Sequence, residues 1–100
     1  MNETVIEADG VAYTLQAEAV RTSLGDGPPM LWGFPVRVLR EGALVSTKTC
    51  FVGRVSVAAR DPGAPDAPSD RLIPVLYALA FERVRARIEK GEFGDEIVFA

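Results

Sequence analysis

With 100 residues, 48% hydrophobic and 25% charged, the chain is long enough for one modest core and too apolar to stay disordered over most of its length. It has no histidine and a single cysteine, Cys50, which excludes an internal disulfide and removes the commonest general base and the commonest metal ligand, so no metal, cofactor or catalytic group is expected. The net charge of −3 is uneven: −4 over residues 1–35, +4 over residues 36–60 and −3 over residues 61–100, so a mildly acidic protein carries a basic middle.

No apolar run reaches the roughly 18 residues of a membrane span. The opening Met1-Asn2-Glu3-Thr4 is the opposite of a secretory n-region. A lone thiol fits a reducing compartment, so the expectation is a cytoplasmic protein. Nine arginines against Lys48 and Lys90 match the bias of a GC-rich bacterial genome.

The first element in chain order is a hairpin. Thr4–Ala8 and Val11–Leu15 flank Asp9-Gly10, a strong signal for a two-residue type I′ turn. That turn pairs Ala8 with Val11, Ile6 with Tyr13 and Thr4 with Leu15, and all six fall on the more apolar face. Residues 22–35 follow, with three Gly and three Pro, and read as an irregular loop. That loop nevertheless holds Met30, Leu31, Trp32 and Phe34.

A second hairpin reads Val36–Arg40, Glu41-Gly42, Ala43–Thr47. A plain two-residue turn pairs Val38 with Val45 and Val36 with Thr47. A regular return strand then adds Phe51, Val55 and Val57 to that face. The opposite, solvent face receives Arg37, Lys48, Cys50, Val52 and Arg54. Gly53 marks a bulge or a strand end.

Asp61 to Pro68 is a Pro-rich breaker. Beyond it, one amphipathic helix is expected from about Asp70 to Lys90, capped by Ser69 or Asp70 and closed by Gly91. Pro74 is tolerable only near the first turn. Ile73, Tyr77, Ala80, Phe81, Val84 and Ile88 make its apolar stripe, widened at the start by Leu72, Val75, Leu76 and Leu79. Arg85 and Glu89 form an i, i+4 pair. Glu96–Phe99 reads as a short last strand on an open sheet edge.

One sheet and one helix can each bury an apolar side only against the other. The expected fold is therefore a single two-layer α+β domain, a mostly antiparallel sheet of four to five strands packed on one long C-terminal helix. Residues 1–59 supply β-rich hairpins, 60–69 the Pro-rich loop, 70–91 the helix and 92–100 a tail or short strand. The sheet core is expected to hold Ile6, Tyr13, Leu15, Val36, Val38, Val45, Val55 and Val57. The helix contributes Leu76, Ala80, Val84 and Ile88, with either Tyr77 or Leu79.

Three constellations bear on function. Met30, Leu31, Trp32 and Phe34, if exposed, anchor a partner; otherwise the loop caps the core. Arg37, Lys48 and Arg54 on a solvent face would attract phosphates or an acidic surface; otherwise they guard an ordinary sheet face. Arg83, Arg87 and Lys90 share a helix face and read as solvated charge. Cys50 has no histidine to activate it and reads as a core filler. Gly25-Asp26-Gly27-Pro28 is too short for a phosphate loop. Strand-strand-strand-helix order occurs in double-stranded RNA-binding domains, but this chain lacks their leading helix and lysine-rich helix start, so no family is assigned.

The preferred reading is a non-catalytic protein-interaction module, self-associating or bound to a protein partner through Met30, Leu31, Trp32, Phe34, Leu72, Val75 and Leu79. The second is a nucleic-acid-binding module using Arg37, Lys48 and Arg54. An enzyme is not expected.

Overall fold

A computed structural model describes residues 2–22 and 27–100. Gly25 and Asp26 of the Gly-Asp-Gly-Pro run lie outside the described residues. The fold is the expected two-layer α+β arrangement. Strands β1 (Glu3–Ala8), β2 (Val11–Ala17), β3 (Arg21–Thr22), β4 (Leu31–Arg40), β5 (Ala43–Gly53) and β6 (Glu96–Phe99) form one sheet. Its order is β1-β2-β4-β5-β6, with β3 pairing β4 beyond the end of β2. Helix α1 (Arg54–Arg60), a 3₁₀ turn (Ala64–Asp66) and helix α2 (Ser69–Glu89) connect β5 to β6. All pairings are antiparallel except β5 with β6. Among the described residues no helix is long and apolar enough to cross a membrane.

The first hairpin has the expected register, Ala8 to Val11, Ile6 to Tyr13 and Thr4 to Leu15. Asp9 and Gly10 both take positive φ, 52° and 76°, as a type I′ turn requires. Ile6, Tyr13 and Leu15 lie in the core.

The second hairpin departs from expectation. Its turn is also type I′, with Glu41 at φ 51° and Gly42 at 78°. A register shift then follows between Val38 and Leu39, and Val38 pairs with Ser46 and Val36 with Lys48. Val45 is the extra residue of a bulge. One inserted residue sends every later side chain to the other face. Ser46, Lys48, Cys50 and Val52 therefore face the core, while Thr47, Thr49 and Phe51 face away. Val45 stays at the rim, 39% exposed, beside Tyr13, Arg40 and Phe93.

The strand also ends sooner than expected. Gly53 is extended and serves as the N-cap of α1. Val55 projects into solvent from that helix, 80% exposed, and Val57 is buried from the helix rather than the sheet. Val55-Ser56-Val57 alternates like a strand, but Ala58-Ala59 favours helix and Val57 packs into the core.

The aromatic stretch is strand, not loop. Trp32 and Phe34 alternate inward from β4 and are 2% and 1% exposed. Pro35 is tolerated because its carbonyl, and hence its donorless nitrogen, faces the break between β2 and β3. There the carbonyl accepts from Glu18 N at 2.9 Å.

Helix α2 lays Leu76, Tyr77, Ala80, Val84 and Ile88 on the sheet. Tyr77 meets Phe34 edge to face, with centroids 5.2 Å apart at 73°. The N-cap is Pro68, not Ser69 or Asp70. Its carbonyl accepts from the Arg71 and Leu72 amides at 3.0 Å each. Pro74 sits inside the helix, past the first turn, where it removes a bond to the Asp70 carbonyl. Gly91 closes the helix at φ 76°, with Glu92 N on Arg87 O and Gly91 N on Ile88 O, a Schellman motif. The Arg85–Glu89 pair is present at 3.5 Å.

Candidate interaction surface

The sheet has one face covered by α2 and one open face. Side-chain alternation decides which residues reach the open face. From β1 come Glu3, Val5 and Glu7, opposite in sense to Ile6 and Ala8. From the middle strands come Arg37, paired with Thr47, and Arg21, paired with Gly33. From the far side come Phe51, Ile97 and Phe99, whose registers are Thr49 to Ile97 and Phe51 to Phe99. The open face thus runs from acidic at β1, through basic in the middle, to apolar at β5 and β6.

The apolar end is organised around a glycine. A Cβ on Gly33 would lie 2.8 Å from Phe51 Cε1, so the bare backbone lets the Phe51 ring lie across β4. Phe51 in turn stacks on Phe99, with centroids 5.7 Å apart and planes 25° apart. Phe99 is 66% and Ile97 58% exposed. Beside Phe51, where β2 gives way to β3, the surface dips into a hollow of about 540 Å³ bounded by Ala19, Arg21, Pro35 and Thr49. Leu31 borders the same ring. Hollow, Phe51, Phe99 and Ile97 make a mostly apolar strip that ends at the β6 edge, with Glu18 and Arg21 at the hollow's rim.

The residues singled out from the sequence are divided by this geometry. Trp32 and Phe34 are core and cannot anchor a partner. Met30 is 60% exposed, and Leu31 borders the strip. Leu72, Val75 and Leu79 are half-buried on α2 and pack against the core. The basic patch does not assemble. Arg37 is on the open face, whereas Lys48 points inward and is wholly buried. Arg54 opens α1, donating to Pro29 O at 3.1 Å and pairing with Asp66. Of the helical bases, Arg87 pairs with Glu92 at 2.9 Å and reaches Glu96 at 3.8 Å. Its guanidinium holds the Glu92 carboxyl below its ordinary value.

Lys48 is bound rather than free. Its Nζ donates to Glu92 O at 2.6 Å, Gly94 O at 2.7 Å and Glu96 Oε1 at 3.0 Å. Ser46 Oγ donates to Gly94 O at 3.2 Å, and Thr47 N to Asp95 Oδ1 at 2.8 Å. The segment leading into β6 is therefore fastened to β5, which places Ile97 and Phe99 on the open face.

Cys50 is a core residue. Burial pushes its thiol up to about 12, against a smaller opposing effect of the Lys48 charge. It stays protonated near neutrality and is a poor nucleophile. A thiol reagent at pH 8 is expected to spare the folded chain and label it once denatured; fast labelling of the native protein would contradict the burial. The unfolded thiol, at 9.0, ionises first as pH rises. This group therefore draws stability down between about pH 9 and 12 and leaves it unchanged below.

Among the described residues no three His, Cys, Asp or Glu side chains gather as metal ligands. Comparison with known proteins returns no matching family, curated protein or solved structure. The strip itself escaped the sequence reading. Its only trace there is the apolar run Ile97–Phe99, which signals a strand but not which face is left open.

Proposed function

We propose that this chain is a non-catalytic, cytoplasmic protein-interaction module that self-associates through the apolar strip of its open sheet face. The observation that carries the reading is the stack of half-buried Phe51 on exposed Phe99, with exposed Ile97 on the same face of β6. Contiguous apolar surface of this kind marks interfaces more often than idle surface. The buried thiol of Cys50 supports the non-catalytic part and fits a reducing compartment. The nucleic-acid reading has lost its geometric ground, because Lys48 is interior and Arg54 is engaged elsewhere.

Burying a Phe side chain contributes about 1.5–3 kcal/mol, at least about tenfold in a dissociation constant. Phe99→Lys is therefore expected to weaken self-association at least about tenfold in sedimentation equilibrium. Val5→Lys, at the opposite edge of the same face, should leave it unchanged. Equal effects of the two substitutions would remove the strip from the interface.

A further inference from the structure

We infer that two copies join edge to edge through β6, antiparallel about a two-fold axis, so that one sheet runs through both. The inference rests on the self-association proposed above and specifies its geometry. It starts from the backbone. Ala100 N donates to Phe51 O at 2.8 Å, and Gly53 N donates to Ala100 O at 3.1 Å. Both polar groups of Ala100 thus turn toward β5. Alternation along an extended strand turns those of Val98 and Glu96 the same way, and those of Ile97 and Phe99 outward. Strand β6 ends the sheet, so among the described residues these outward groups have no strand partner.

The two ends of the sheet differ in how they are guarded. At the β1 end Ala17 N donates to Asn2 O at 2.7 Å, so the outward groups belong to Glu3, Val5 and Glu7. Two carboxylates on that edge resist pairing with another strand. The β6 edge presents Ile97 and Phe99 and no such charge. The one charged residue of β6, Glu96, points to the covered side, where Lys48 and Arg87 hold it at 3.0 and 3.8 Å.

Charge disfavours full face-to-face overlap of two sheets. A two-fold axis between fully overlapped open faces lays β1 either on its own copy or on β6. The first sets Glu3 and Glu7 against themselves, and the second lays them on Ile97 and Phe99. Both oppose association. Edge pairing through β6 puts the acidic strands at the far ends of the joint sheet. Antiparallel strands exchange hydrogen bonds between outward-facing residues, which pairs Ile97 with Phe99 of the second copy and the reverse. That is a favourable β-branched and aromatic cross-strand pair. It joins the two apolar strips into one, and the contact is self-complementary, as a two-fold interface must be.

The test is amide hydrogen exchange, resolved by residue, across concentrations that span monomer and dimer. The Ile97 and Phe99 amides are expected to slow on the order of tenfold or more on association, while Val5 and Glu7 are unchanged. In Phe99→Lys, kept monomeric, the Ile97 amide should exchange fast. A dimer whose Ile97 and Phe99 amides exchange as in the monomer overturns edge pairing and leaves self-association standing. A chain that stays monomeric throughout overturns both.

Discussion

Lys48→Ala lowers the unfolding free energy by about 3–5 kcal/mol, the range for stripping one partner from a buried charged network. The lysine has no exposed surface and spends its three protons on two carbonyls and a carboxylate. A buried ion pair alone often fails to offset its desolvation; the two carbonyls, at 2.6 and 2.7 Å, tip the balance here by satisfying the rest of the ammonium. Removing the side chain leaves three inward acceptors and a void. Arg37→Ala, a change at a base on the open face, should stay within about 0.5 kcal/mol. Urea denaturation with an unchanged slope reads both. A loss below about 1 kcal/mol for Lys48→Ala would mean that the clamp between β5 and the chain entering β6 contributes little.

Trp32→Ala has an effect of similar size, about 3–5 kcal/mol for truncating a buried aromatic side chain, and it acts on folding rather than on association. Trp32 is 2% exposed, in the same core cluster as Phe34 and Tyr77. Trp32→Phe keeps most of the volume and stays folded. In that variant the dimer dissociation constant should match that of the parent chain. A selective loss of association in Trp32→Phe would restore this residue to the interface. The same burial places the emission of the single tryptophan at short wavelength, with a red shift only on unfolding.

These two residues show what was legible in the chain and what was not. The layers, the long helix, both type I′ turns and the Gly91 stop follow from local chemistry, since each signal lies within a few residues. Ile6, Tyr13 and Leu15 were assignable because turn and alternation agree there. In β5 they do not decide. Val45, Thr47, Thr49 and Phe51 alternate with Leu44, Ser46, Lys48, Cys50 and Val52, and neither set is clearly more apolar. The bulge at Val45 turns Ser46, Lys48, Cys50 and Val52 to the core and leaves Leu44 52% exposed, and what makes it tolerable is 44 or more residues from Lys48, at Glu92, Gly94 and Glu96. No window of periodicity contains that information. Trp32 and Phe34 were hidden for the opposite reason. Gly33 and Pro35 are loop residues by propensity, but here the glycine admits the Phe51 ring and the proline faces a break in the neighbouring strand.

The same slip moved the candidate surface. With Phe51 in the core, the exposed apolar area would sit at residues 30–34 and on the start of α2. With Phe51 on the open face, it sits beside Phe99 and Ile97. Lys48 thereby becomes the residue that links fold to proposed function, because it fastens the segment that carries both of those side chains into β6.

The most direct test of that account is light scattering on a sizing column over a hundredfold concentration range, at low and high salt. A strip whose exposed edge is the apolar Phe99 and Ile97 predicts a mass rising from monomer toward dimer with concentration, undiminished by salt. A monomer mass at every concentration and both salt levels would contradict it.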